Sequence, residues 1–137
     1  RARTRTDQFV RDRTHAALDR TTATGVGGVP LSRPSCSDAP EALEADPEPD
    51  AFAMCGEIGG EDEEQAAKYI AENMDTPVAG FIAGRTAPPG KRMGHAGAIV
   101  SGSGTGTADS KITALNDAGV PVADTPSEVA EAIDDFL

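Results

Sequence analysis

The chain has 137 residues, of which 38% are hydrophobic, 26% charged and 4% aromatic, with no Trp. That size allows one domain or part of one, and the absence of any apolar run of about 18 residues excludes a transmembrane helix. A formal net charge of −11 makes nucleic acid and anionic membrane poor partners.

The charge is unevenly spread. Residues 1–20 carry six Arg and three Asp, and the remainder of the chain carries the acid excess. Such an excess repels itself in dilute buffer, and molar salt shortens the Debye length to about 3 Å. The composition therefore reads as that of a protein from a salt-accumulating cytoplasm. Cys36 and Cys55 show neither metal spacing nor a disulfide framework, which fits a reducing compartment.

Residues 1–20 have no apolar period and lack the hydrophobic stretch of a signal peptide. They read as a divergent basic segment, disordered or at most a marginal helix. Residues 21–50 hold Gly and Pro at close intervals, so only short elements fit there.

From residue 51 the pattern becomes regular. Ala51 to Cys55 is a short apolar run that Gly56 would end, as for a buried strand. Glu57-Ile58-Gly59-Gly60 reads as a turn. Glu61, Asp62, Glu63 and Glu64 fall in the first turn of a helix, where acids meet the positive end of the dipole. Ala66, Ala67, Ile70 and Met74 share one face of that helix. Val78 to Ala83 is a second buried strand, followed by a long loop, Gly84 to Gly97, and the GSGTG stretch (102–106). Thr107 or Asp109 starts the next helix, with Ile112 and Leu115 inward and Gly119 as its stop. Val120 to Ala123 is a third strand, placed at an edge by Pro121. Asp124, Thr125 and Pro126 cap and start a last helix, in which Val129, Ile133 and Phe136 share a face.

This order predicts an α/β fold built on a parallel sheet with right-handed crossovers. Ligands bind beyond the carboxyl ends of such strands. Two loops leave those ends, GEIGG and GRTAPPGKRMGHAG, and the second carries His95.

A lone loop histidine is more often solvated than catalytic, but the surroundings of His95 favour chemistry. Gly94 and Gly97 let a ligand approach the backbone. Lys91 and Arg92 supply positive charge, although they could equally be solvated loop charges. A carboxylate at Glu57 could accept the Nδ1–H of His95, fix its tautomer and leave Nε2 as a nucleophile. Positive charge and an oriented imidazole suit transient attachment of a phosphoryl group. GSGTG is no P-loop, since no Gly-Lys-Ser/Thr follows. EDEE reads as a helix start and not a metal site. His15 and both cysteines read as inert.

GEIGGEDEEQAAKYI followed by PVAGFIAGRTAPPGKRMGHAGAIVSGSGTGTADSKITAL resembles the carboxyl-terminal half of the succinate–CoA ligase (succinyl-CoA synthetase) α subunit. The resemblance runs from Cys55 to about Leu137. It implies a flavodoxin-like three-layer parallel sheet, incomplete at its first strand. It implies that His95, the histidine of GHAGA, is phosphorylated during turnover, and that Glu57, the acid of GEIGG, contacts it. The family joins succinate and coenzyme A at the expense of a nucleoside triphosphate, through succinyl phosphate and a phosphohistidine. Mg²⁺ and ATP or GTP are expected on a β subunit, which is the expected partner. Coenzyme A is expected on an α domain not contained in this chain. The chain contributes no expected metal ligands, and its cofactor-binding residues are unassigned.

The departures from the family lie toward the amino terminus. Residues 1–20 resemble nothing in it, and TTATGVGG resumes the pattern. Val29 stands where Asp is usual and Arg33 where Gly is usual. Cys36, Ser37 and Pro40 replace apolar residues of a helix. An interior Pro costs roughly 3 kcal/mol, so that helix should be shortened or lost. The expected organisation is a ligase domain over 21–137, degraded in 29–40, from a truncated or frame-disturbed copy of the α-subunit gene. Such a cytoplasmic fragment would act only with the β subunit and would make no succinyl-CoA alone. The alternatives are a non-catalytic remnant and part of an NDP-forming acetate–CoA ligase or a citrate-cleaving relative.

Overall fold

In a computed structural model, the structure describes Thr22 and residues 38–86 and 106–137. The elements run α1 (Asp38–Glu44), β1 (Phe52–Glu57), α2 (Asp62–Asn73), β2 (Val78–Ala83), α3 (Ala108–Asp117), β3 (Val122–Ala123) and α4 (Pro126–Asp134). The three strands form a parallel sheet in the order β1-β2-β3. The expected α/β class and parallel sheet are present.

β2 is central and buried on both faces, which is why its sequence reads as an unbroken apolar run. Its side chains alternate between two cores. Val78 and Ile82 join α2 and α3 in a core with Ile58, Ala67, Ile70, Ala108, Leu115 and Val120. Ala79 faces the other way and packs with Val129 and Ile133 of α4. Helices thus cover both faces, giving three layers. Gly80 keeps the first layer close: a Cβ there would lie 3.4 Å from Val120 and 3.6 Å from Leu115.

The helix termini follow the sequence signals. Thr107 precedes α3 and its hydroxyl accepts the Ser110 N–H at 3.0 Å. Thr125 and Glu128 form a reciprocal capping box at the start of α4, with Pro126 in the first turn. Gly119 ends α3 at φ +80°, in the left-handed region.

Several boundaries differ from expectation. β1 continues through Gly56 to Glu57, because Gly56 packs rather than punctuates. A Cβ there would lie 2.7 Å from Glu63 Oε1 and 2.8 Å from Ile82 Cδ1. The third strand pairs only over Val122–Ala123, while Val120 enters the core ahead of it. Phe136 does not share the buried face of the last helix. α4 ends at Asp134, so the spacing from Val129 and Ile133 no longer holds, and Phe136 is exposed. Pro40 lies in the first turn of the seven-residue α1, where a missing N–H breaks no intrahelical bond. Glu44 of α1 accepts the N–H groups of Asp75 and Thr76, and the Asp75 bond holds its carboxyl below the usual range.

Among the described residues, no helix is long and apolar enough to cross a membrane.

Candidate functional site

The sheet brings the ends of β1 and β2 side by side. Glu57, the last residue of β1, is in register with Ala83, the last residue of β2. Strand alternation puts Glu57 on the side of Ala51 and Ala53, which face the α4 layer. Glu57 is half-buried.

The turn that follows is tied down through several of its backbone groups. The Glu57 N–H donates to Glu63 Oε1 at 3.1 Å. The Ile58 N–H donates to the Ala83 carbonyl at 3.1 Å, and the Gly59 N–H to the Gly106 carbonyl at 2.8 Å. Gly59 and Gly60 have φ of +96° and +67°, the left-handed region in which a side chain is strained. Gly84, at φ +99°, leaves the end of β2 directly over Ile58, whose Cγ2 would lie 2.9 Å from an added Cβ. Gly106, at φ +71°, sits against Gly60 from the other side.

Lys111 holds the same turn from beneath. Its side chain is fully buried. Nζ donates to the Glu57 carbonyl at 2.8 Å and to the Gly59 carbonyl at 2.7 Å, and pairs with the Glu63 carboxylate. Sequence reasoning passed over this lysine. One signal pointed to it. It lies three residues after Ala108 and four before Leu115, on the buried stripe of an amphipathic helix, in a chain with few lysines. The acidic run also does more than start a helix. Glu63 is the partner of Lys111, and Glu64 Oε1 accepts the Ser110 hydroxyl at 3.0 Å, linking α2 to α3.

His95, Lys91 and Arg92 lie in residues 87–105, outside the described residues, as does GSGTG up to Thr105. His15 and Cys36 are likewise outside them, and Cys55 is an exposed free cysteine. Among the described residues, no group of three or more His, Cys, Asp or Glu side chains is placed to hold a metal ion.

A family model described as CoA-ligase matches residues 7–121. The chain belongs to the CoA-ligase family. The match opens at residue 7, inside the basic segment, which overturns the expectation that residues 1–20 resemble nothing in the family. Among curated members, the ADP-forming succinate–CoA ligase α subunit of Staphylococcus epidermidis is 53% identical over 135 residues. That alignment covers 98% of this chain and 44% of the staphylococcal protein. The corresponding subunit of Staphylococcus aureus is 50% identical over 133 residues, covering 97% of this chain and 44% of that protein. This CoA-ligase chain therefore spans less than half the length of the curated relatives it matches. Among solved structures, the ATP citrate lyase of Methanothrix soehngenii, in complex with citrate and coenzyme A, is similar at TM-score 0.61 and 29% identity. That similarity covers 69% of this chain and 16% of the lyase chain.

Proposed function

We propose that this chain is the phosphohistidine-bearing part of a succinate–CoA ligase α subunit, working in the cytoplasm with a β subunit. The reaction joins succinate and coenzyme A as a nucleoside triphosphate becomes diphosphate and phosphate. His95 and Glu57 are the proposed catalytic residues. Mg²⁺ and ATP or GTP are assigned to β, and coenzyme A to an α domain outside residues 21–137.

One observation carries the reading. Both ends of the segment that contains His95 are hydrogen-bonded to the turn that contains Glu57, through the Ala83 carbonyl on one side and the Gly106 carbonyl on the other. The segment thus starts and finishes beside the Glu57 turn, at the carboxyl end of the sheet, where ligands bind in folds of this class. The higher identity to the succinate enzymes, set against 29% to the citrate-cleaving one, favours succinate as the acid.

In this reading, the Glu57 carboxylate accepts the Nδ1–H of His95 and leaves the Nε2 lone pair free. Nε2 takes the phosphoryl group from the nucleotide and forms the N–P bond as the nucleoside diphosphate leaves. A succinate carboxylate oxygen then takes the phosphoryl group, and the N–P bond breaks to return the imidazole. The thiolate of coenzyme A displaces phosphate from the resulting succinyl phosphate. The residues of this chain supply position and charge, which phosphoryl transfer needs most.

The test mixes the 137-residue chain with a succinate–CoA ligase β subunit, Mg²⁺ and ATP labelled at its γ-phosphate. Acid-labile, base-stable label on the chain, absent from His95→Ala, is expected. No succinyl-CoA is expected unless a full-length α subunit is present. A chain that takes up no label is a non-catalytic remnant, and thioester formed without full-length α contradicts the assignment of coenzyme A.

A further inference from the structure

A lysine fully withdrawn from water is costly unless every donor of its ammonium is satisfied. Lys111 meets that condition with three acceptors: the carbonyls of Glu57 and Gly59 and the carboxylate of Glu63. Two of the three belong to one turn. They flank Ile58, whose own N–H is already bonded to Ala83. The Glu57 N–H goes to the other oxygen of the same Glu63 carboxylate that pairs with the lysine. A single buried ion pair therefore grips the Glu57 backbone through both its N–H and its carbonyl.

Core stability alone does not call for this arrangement. Apolar side chains of similar volume commonly serve as well as a buried ion pair, or better. Here the pair sits under the carboxyl end of β1, away from the centre of the sheet. What it provides there is direction. An ammonium attracts two carbonyls to one point, so the chain must curl around it as it leaves the strand. Gly59 and Gly60 permit that curl with their positive φ, and Gly56 leaves room for Glu63 to reach.

We infer that Lys111 is a positioning residue for Glu57. It fixes the turn that aims the Glu57 carboxylate, and its catalytic consequence rests on the proposed role of Glu57 beside the phosphorylated histidine. Lys111 touches no reacting atom and acts through the backbone of Glu57 and Gly59.

Amide hydrogen exchange on the 137-residue chain tests the grip. In Lys111→Met, and in Lys111→Met combined with Glu63→Gln, amides of 56–60 are expected to exchange at least about tenfold faster, while those of β2 and α4 hold their protection. The double variant leaves no unpaired buried charge and is the one expected to fold where the single one does not. Protection at 56–60 equal to the unaltered chain, or equal loosening of 78–83 and 129–134, would overturn the inference. In the unaltered chain, slowly exchanging ammonium protons of Lys111 with cross-peaks to Gly59 are also expected, and their absence counts against it.

Phosphoryl labelling with the β subunit tests the consequence. The double variant should label His95 on the order of tenfold to a hundredfold more slowly, the scale of a misplaced catalytic group. Adding Glu57→Gln should slow it no further, because both changes remove the same aim. Additive losses would make Lys111 merely structural. If the unaltered chain takes no label, the functional reading fails, and exchange still decides whether Lys111 holds the turn.

Discussion

Leu115→Ala is expected to lower the unfolding free energy by about 3 kcal/mol, within the roughly 2–5 kcal/mol range for emptying a core leucine site. Leu115 is fully buried and lies between α3 and the face of β2 that carries Gly80. With no tryptophan in the chain, Leu115 and Ile82 are among the largest fully buried apolar side chains described. Neighbours of the size of Val120 and Ala67 have little reach with which to close the space. The loss is a large fraction of the few kcal/mol by which domains are stable. Denaturant unfolding should show a lower midpoint with an unchanged slope. Leu137→Ala, at a residue 65% exposed, should stay within about 0.5 kcal/mol of the unaltered chain. A Leu115→Ala loss no larger than that control would mean that the α2–α3 layer is not packed as described.

Gly106→Val is expected to cost about 2–3 kcal/mol and to disturb the site as well as the fold. A β-branched residue at φ +71° pays roughly 1–2 kcal/mol for the left-handed conformation. Its Cβ would also lie 2.7 Å from the Gly60 carbonyl, a contact that neither backbone can tolerate. Relief requires the Gly59–Gly106 hydrogen bond to lengthen, at a further cost of about 1 kcal/mol. Gly119→Val separates the two contributions. Gly119 has φ +80°, and an added Cβ there meets nothing within 4 Å. Both variants should pay the conformational cost in thermal melts, but only Gly106→Val should loosen the amides of 56–60 and slow labelling of His95. Equal effects of the two valines on that turn would show that Gly106 has no special hold on it.

The fold was most legible where one physical preference acted without competition. Val78 to Ala83 is a central strand with both faces buried, so its apolar run has no other use, and its ends coincide with those of β2. Thr125 and Pro126 carry two independent start signals and form the expected cap. Gly56 misled because glycine has two uses. It ends strands, and it also admits a neighbour too close for a side chain, which is its part beside Glu63 and Ile82. Phe136 misled because helical spacing predicts a shared face only while the helix lasts.

The site was half legible. The motif drew attention to Glu57, and the sheet sets that residue at a strand's carboxyl end beside the start of the histidine loop. For Lys111 the stripe it shares with Ala108 and Leu115 signals burial, but a lysine in an amphipathic helix is normally solvated, and nothing local tells that its ammonium lies under a turn more than fifty positions earlier. Glu63 was masked in the same way by its place in an acidic helix start, where the dipole already accounts for it.

The most direct measurement of the proposed pairing is a through-space magnetisation-transfer experiment on the isotopically labelled chain, read at the ring protons of His95. A cross-peak between those protons and the γ-protons of Glu57 is expected, lost when Glu57 is changed to alanine. Ring protons that meet only core methyl groups such as those of Ile82 or Val129, with none from Glu57, would contradict a phosphoryl-carrying imidazole steered by that carboxylate.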